Sequence, residues 1–260
     1  MKSQIKVLIL LVIAFMALFI YARSPYGMTF ARQLLKKIDI SLPESEKEPV
    51  NMLADTPPPL EPDTTAQHFL FVGDSMVEPL AYRFYDYCRE NGDSMYAVTW
   101  YGSTTTAWSG ETMDYYMDKV KPTYIIYCMG SNELTSKNIK AINANLVRMK
   151  AKANGVPCIF IGPPNTKPDS GLNDEIAKVF GKRCYFDSRN IEMERRSDKL
   201  HPTNTGAHVW MDEVCTWMNS LECVHPVVLN KPVEEKPYSI EHIEVMQVKD
   251  KGRRLSKPSV

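Results

Sequence analysis

The sequence carries no surplus of charge of either sign: 31 Lys and Arg stand against 31 Asp and Glu in 260 residues. With no basic stripe anywhere along the chain, the electrostatic footprint for a polyanion is missing, and nucleic acid is set aside as a partner. No CxxC or His-Cys cluster occurs, so neither a metal nor another cofactor is expected. There is no internal repeat, which argues against a repeat array. A lipobox cysteine is also absent, which removes lipid attachment near the N-terminus. Of the six cysteines, Cys128 and Cys158 fall inside the apolar runs YIIYCMG and VPCIFIG, where a free thiol packs as a small hydrophobe. Only Cys215 and Cys223 are placed for a local bridge, and pairing cannot be read from spacing alone.

What is present begins with MKSQIKVLILLVIAFMALFIYARS. Lys2 and Lys6 precede an apolar stretch from Val7 to Ala22, about the minimum that spans a ~30 Å bilayer core at ~1.5 Å per residue. Bulky Phe19, Ile20 and Tyr21 sit where a signal peptidase would want small residues, so residues 1–23 read as an uncleaved anchor rather than a signal peptide. A soluble buried helix fits poorly, because the stretch has no polar face. Arg23, Arg32, Lys36 and Lys37 balance the basic charge ahead of the span; the body is nevertheless placed outside the cytoplasm, periplasmic or extracellular, and secreted if the segment is cleaved.

Residues 24–66 then read as a short amphipathic helix, MTFARQLLKKIDI, and a stalk rich in Pro and acid, LPESEKEPVNMLADTPPPLEPDTT. The stalk cannot build a packed core. A folded body follows at 67–224. The stretch 225–260 is charged and punctuated by Pro, and it reads as a loose tail.

Within the body, apolar runs of strand length recur at 68–72, 95–100, 123–129, 157–162 and 183–187. Segments with helical spacing separate them, among them PLAYRFYDYCREN, SGETMDYYMDKV and NIKAINANLVRMKAKANG. Strands alternating with helices imply βαβ units, and hence a three-layer α/β/α domain on a five-stranded parallel sheet.

In such a sheet, ligands gather at the carboxyl ends of the strands. The first run ends in Gly73-Asp74-Ser75. A Ser there can be a helix cap and nothing more, or a hydroxyl facing a cleft beside backbone N–H groups that favour an oxyanion. Asp74 reads as support for the turn. After the third run comes Gly130-Ser131-Asn132-Glu133, where the Asn amide can cap a helix or donate to that same oxyanion. Asn165 follows the fourth run, at the same rim. Trp100, Tyr101 and Trp108, in WYGSTTTAW, can wall a pocket as stacking platforms or serve as core and loop anchors. Before the last helix lies Ser197-Asp198-Lys199-Leu200-His201-Pro202-Thr203. An acid three residues ahead of a His can hold one ring nitrogen while the other faces a serine, which is what a general base requires.

Taken in order, Gly73-Asp74-Ser75, a Gly after the second strand, Gly130-x-Asn132 and Asp198-x-x-His201 resemble the blocks of the SGNH (GDSL) hydrolase family. The likeness runs from residue 68 to about 220, leaving anchor, stalk and tail unexplained. It implies a flavodoxin-like strand order 2-1-3-4-5 and a serine esterase mechanism. It also implies Ser75 as nucleophile, His201 as base and Asp198 as its orienting acid, with an oxyanion hole made by Ser75 N–H, Gly102 N–H and the Asn132 side chain. The sequence departs from the family pattern twice: Met76 stands where Leu is usual and Glu133 where Asp is commoner. Neither position carries a reacting group.

The expected activity is removal of acyl groups, acetyl above all, from envelope or extracellular carbohydrate, with no obligate protein partner. Two alternatives remain at this point: acyl transfer to a sugar hydroxyl by the same triad, and a non-catalytic carbohydrate-binding domain on the same scaffold. A lipase is not favoured, because the body has no long apolar lid segment.

Overall fold

The computed structural model describes residues 61–233 and 243–248, all in a unit that runs from Thr56 to Val260. The anchor at 1–23, the juxtamembrane helix, the stalk up to residue 60 and most of the tail lie outside the described residues. Among the described residues, no helix is long and apolar enough to cross a membrane.

Strand β1 (His68–Gly73) is central. It pairs in parallel with β2 (Ser94–Trp100) on one side and β3 (Tyr124–Cys128) on the other. Beyond β3 lie β4 (Cys158–Ile161) and β5 (Tyr185–Phe186), also parallel. Each parallel pairing needs a crossover, and helices supply them. Helix α1 (Val77–Asn91) joins β1 to β2; α2 (Thr105–Trp108) and α3 (Glu111–Val120) join β2 to β3. Helix α4 (Ile139–Lys152) leads to β4, α5 (Leu172–Phe180) to β5, and α6 (Asn204–Met218) follows β5. The sheet order β5-β4-β3-β1-β2-β6 contains the expected 2-1-3-4-5.

Strands buried on both faces read as unbroken apolar runs, and their side chains alternate between the two faces. Phe69, Phe71, Ile126 and Ile159 pack with Leu80 and Phe84 of α1 and Trp210 and Val214 of α6. The Phe84 ring lies edge-on to Phe69 at 4.9 Å and to Phe71 at 5.9 Å. On the opposite face, Phe180 of α5 closes against Tyr127 at 5.6 Å and Phe160 at 5.1 Å. There the Tyr127 hydroxyl donates to the Met149 carbonyl of α4. Each such ring, fully withdrawn from water, contributes roughly 1.5–3 kcal/mol.

Three expectations are corrected. The packed chain does not stop at 224: Val227 and Leu229 belong to the core, and Val227 both bridges Asp63 and donates its N–H to Met218 O. Farther along the tail, Ile243–Met246 forms β6, parallel to β2, with Ala97 opposite Ile243 and Trp100 opposite Met246. The sheet therefore has six strands rather than five. Lastly, Cys215 and Cys223 are not bridged. All six cysteines are buried free thiols; Cys215 is part of the core, and Cys223 sits 3.7 Å from the Tyr124 hydroxyl.

Candidate active site

At the carboxyl end of β1 the chain must turn where β3 lies against it. A Cβ on Gly73 would stand 1.7 Å from the Cys128 carbonyl oxygen and 2.9 Å from Val77 Cγ2, so a glycine is required. Asp74 then ties the turn down. Its Oδ1 accepts the Met76 N–H at 3.0 Å and its Oδ2 the Gly130 N–H at 3.1 Å, with a further bond from the Ser131 N–H. Thr99 Oγ1, from the end of β2, donates to its carbonyl at 2.8 Å. Complete burial pushes this carboxyl up to about 6, against the opposing pull of those backbone N–H groups and of His201. Asp74 is thus a clamp between the loops after β1 and β3.

Ser75 comes next. Helix α1 is capped at Met76 and uses no side-chain cap, so the Ser75 hydroxyl is not spent on the helix. It meets His201 Nε2 at 2.8 Å instead.

His201 reaches it from the loop ahead of α6, and that loop is tightly pinned. Arg196 N–H donates to His201 O at 2.8 Å, and Arg195 and Arg196 side chains donate to the carbonyls of Leu200 and Pro202. Thr203 caps α6 through the Gly206 N–H at 3.1 Å. Gly206 in turn presses on the Glu194 carbonyl, where a Cβ would come within 2.0 Å. Asp198 holds the ring: Oδ2 lies 2.7 Å from Nδ1, while Oδ1 accepts the N–H groups of Leu200 at 2.8 Å and His201 at 2.9 Å. The bond from the His201 ring and those two N–H groups draw the Asp198 carboxyl down to about 2. A carboxylate at Nδ1 keeps the proton there, and the Nε2 lone pair faces the Ser75 hydroxyl.

The donors expected for an oxyanion lie on the neighbouring loops. Gly102, with φ at 68°, adopts a backbone that favours glycine. Among the described residues, the N–H groups of Ser75 and Gly102 have no acceptor. Exposed Asn132 gives one amide hydrogen to Ser103 O at 2.9 Å and does not use its second there.

The aromatic platforms need correction. Trp108 is wholly buried and Trp100 only 4% exposed, with the two rings edge to face at 6.1 Å. Trp108 Nε1 donates to Ser103 Oγ at 3.0 Å. Trp108, carried inward by α2, thus ties down the Gly102 loop at Ser103, and Trp100 at the end of β2 packs against its ring. Tyr101 stays half-buried, its hydroxyl donating to the Glu78 carboxylate; burial, then that carboxylate, raise it to about 12. Asn165 is exposed after β4, its Oδ1 3.5 Å from Asn173 Nδ2.

Met76 and Glu133, the two positions at which the resemblance breaks, each have a local use. Met76 fills the core. Buried Glu133 accepts the Thr105 N–H at 2.7 Å and its hydroxyl at 2.9 Å, locking the start of α2 to the Asn132 loop. Neither Thr99 nor Thr105 stood out in the sequence, although for Thr99 a polar residue at the buried end of a strand is a signal to follow.

A hydroxyl, an imidazole and a carboxylate thus stand in a hydrogen-bonded row, an arrangement suited to attack on an acyl carbon. Among solved structures, the chain is similar to an esterase, EstA, from Pseudoalteromonas sp., inhibited by monoethylphosphonate, at 16% identity over 59% of this chain and 99% of that one, TM-score 0.46. It is also similar to TesA, at 18% identity over 60% and 99%, TM-score 0.49. A third is a G-D-S-L family protein from Desulfitobacterium hafniense DCB-2, at 13% identity over 58% and 98%, TM-score 0.42. No family model and no curated protein matches the sequence.

Proposed function

We propose that this chain is a serine esterase acting through Ser75, His201 and Asp198, with acylated carbohydrate of the envelope or cell exterior, acetyl esters foremost, as its substrate. The observation that carries the reading is the row Ser75 Oγ, His201 Nε2, His201 Nδ1, Asp198 Oδ2, joined at 2.8 and 2.7 Å from segments 126 residues apart. His201 takes the Ser75 proton as Oγ bonds the ester carbon. The carbonyl oxygen becomes an oxyanion within reach of the Ser75 and Gly102 N–H groups and the Asn132 amide. His201 then passes its proton to the leaving alcohol as the carbon–oxygen bond breaks, leaving an acyl-enzyme on Ser75. Water, deprotonated by His201, releases the acid and restores the serine.

The site lies at an open rim, with Asp198 about half exposed, so a sugar hydroxyl could replace water and turn hydrolysis into transfer. An N-terminal anchor with a stalk would hold the body against such substrates outside the cytoplasm. The test is labelling by a fluorophosphonate together with acetate release from a panel of acetylated glycans, with and without acceptor sugar. Labelling and release that both vanish in Ser75→Ala support the reading; acetate release that persists in that variant, or no labelling of the unaltered protein, refutes it. Acetylated acceptor in place of free acetate identifies a transferase.

A further inference from the structure

The resemblance to known hydrolases leaves the tail unexplained, yet β6 comes from it. Its pairing with β2 is lopsided: it covers Ala97–Trp100 and leaves Ser94–Tyr96, at the far end of β2, uncovered. A strand serving only to hide an edge would gain from pairing along its whole length. Here the pairing is concentrated at the end that carries the site, and it runs one step past the strand, where Tyr101 N–H donates to Met246 O at 2.9 Å. The next residue is Gly102.

A second path leads to the same loop. Glu244 accepts the hydroxyls of Tyr116 at 2.8 Å and Tyr96 at 2.9 Å, and Lys119 Nζ at 3.2 Å. Tyr116 packs on Trp108 at 6.1 Å between ring centres, and Trp108 holds Ser103 Oγ. Backbone and side chains of β6 thus converge on both neighbours of Gly102. Although burial pushes the Glu244 carboxyl up, the bonds from Tyr116, Tyr96 and Lys119 outweigh it and keep the group below the ordinary glutamate range, so it is ionised near neutral pH.

We propose that β6 is a positioning element for the reaction, with Met246 O and the Glu244 carboxylate holding Tyr101 and Ser103 so that the Gly102 N–H between them faces the developing oxyanion. This rests on the esterase reading. Neither residue touches substrate; each acts through Gly102, so its loss should lower kcat and spare KM.

The test uses the full-length protein in three forms. Glu244→Lys sets a like charge against Lys119; Met246→Pro leaves the carbonyl that Tyr101 uses but deletes the N–H on the same edge, so the end of β6 is loosened from β2; Glu244→Gln keeps an acceptor for the tyrosines. Amide exchange of the 95–104 segment and burst kinetics on a 4-nitrophenyl ester are measured together. Glu244→Lys, alone or combined with Met246→Pro, should speed exchange at Tyr101 at least about tenfold. It should also lower kcat roughly 10- to 100-fold, in the range for a misplaced oxyanion donor. KM should stay within about threefold, the acid limb of the pH profile unmoved, and Glu244→Gln should retain activity within about threefold.

Faster exchange with unchanged kcat would reduce β6 to an edge cover. Unchanged exchange in both Glu244→Lys and the double variant would show that these contacts do not hold the loop. A fall in kcat accompanied by a rise in KM beyond about threefold and by loss of cooperative melting would make the role merely structural. Failure of the esterase reading shows separately, as an unaltered protein that neither turns over ester nor is labelled at Ser75.

Discussion

Replacing Gly73 by Ala adds one carbon at the point where the turn leading to Ser75 touches β3. The new Cβ would lie 1.7 Å from the Cys128 oxygen and 2.6 Å from its carbonyl carbon. Ordinary contact begins near 3.4 Å, so the two chain segments must part by about 1.7 Å. What yields is backbone, not a flexible side chain. The bond from Asp74 N–H to that same oxygen, 3.1 Å long, goes first, and with it the alignment of the Asp74 clamp. Overpacking usually costs ~1–3 kcal/mol, and a rigid neighbour places this case at or above the upper end. For a domain of this size, ~3 kcal/mol lowers Tm by roughly 6–12 °C. Because Ser75 lies two residues on, a shift of ~1 Å at its hydroxyl should cost about 10²-fold in kcat. Thermal unfolding and initial rates on 4-nitrophenyl acetate measure the two effects. Gly110→Ala is the control, since nothing lies within 4 Å of its added carbon, and it should lose no more than the ~1 kcal/mol that Ala costs at the N-cap of α3 and keep its activity. If Gly73→Ala did the same and turned over at the same rate, the close approach of β1 and β3 would be refuted.

Asp198→Asn removes the charge that faces Nδ1 and lets an amide N–H compete for it, so kcat should fall about 10²- to 10⁴-fold; unchanged single-turnover acylation would contradict the orienting role. Asn132→Ala should lower kcat on the order of 10²- to 10³-fold with little change in KM, and a change confined to KM would make it a binding residue instead. Asp74→Asn probes linkage: with a folded-state pKa of about 6 against an ordinary 3.8, the folded protein holds an extra proton between those values. Stability from this group is therefore full below about pH 4 and lost as pH rises through 6, by on the order of 3 kcal/mol. The stability of the unaltered protein relative to Asp74→Asn should fall by that much between pH 4 and 7, and a pH-independent difference in denaturant titrations would argue against a titrating Asp74.

Much of the sheet was legible because β1, β3 and β4 are apolar runs that bury both faces, and β2 and β5, although less fully buried, are still apolar runs set off by helical spacing. The turn at Ser75 and the acid at Asp198 were legible for a different reason: their spacing is local, and short-range geometry dictates the hydrogen bonds. What could not be read depends on distant partners. Strand β6 is four residues, IEVM, within a charged tail, and it is held by its ladder to β2 and by the bonds of Glu244 to Tyr96, Tyr116 and Lys119, all more than a hundred residues away. Trp100 and Trp108 showed no period that would assign them inside or outside; the inward fold of α2 decides it, through Glu133 and Thr105. Likewise Cys215 and Cys223 stand close in sequence, but both are taken up by the core as free thiols, the second beside the Tyr124 hydroxyl.

Those six thiols have a practical consequence. Cys158, at 8% exposure, is the most accessible, and burial pushes its thiol up to about 11 and that of Cys184 up to about 12. Thiolate is the reacting form, so an alkylating reagent finds almost none while the protein stays closed. Each modification event then marks an opening. Since the cysteines are spread over α1, β3, β4 and α6 and the segments flanking β5 and following α6, the order in which they are alkylated would chart which parts of the native chain breathe first, without any label being added.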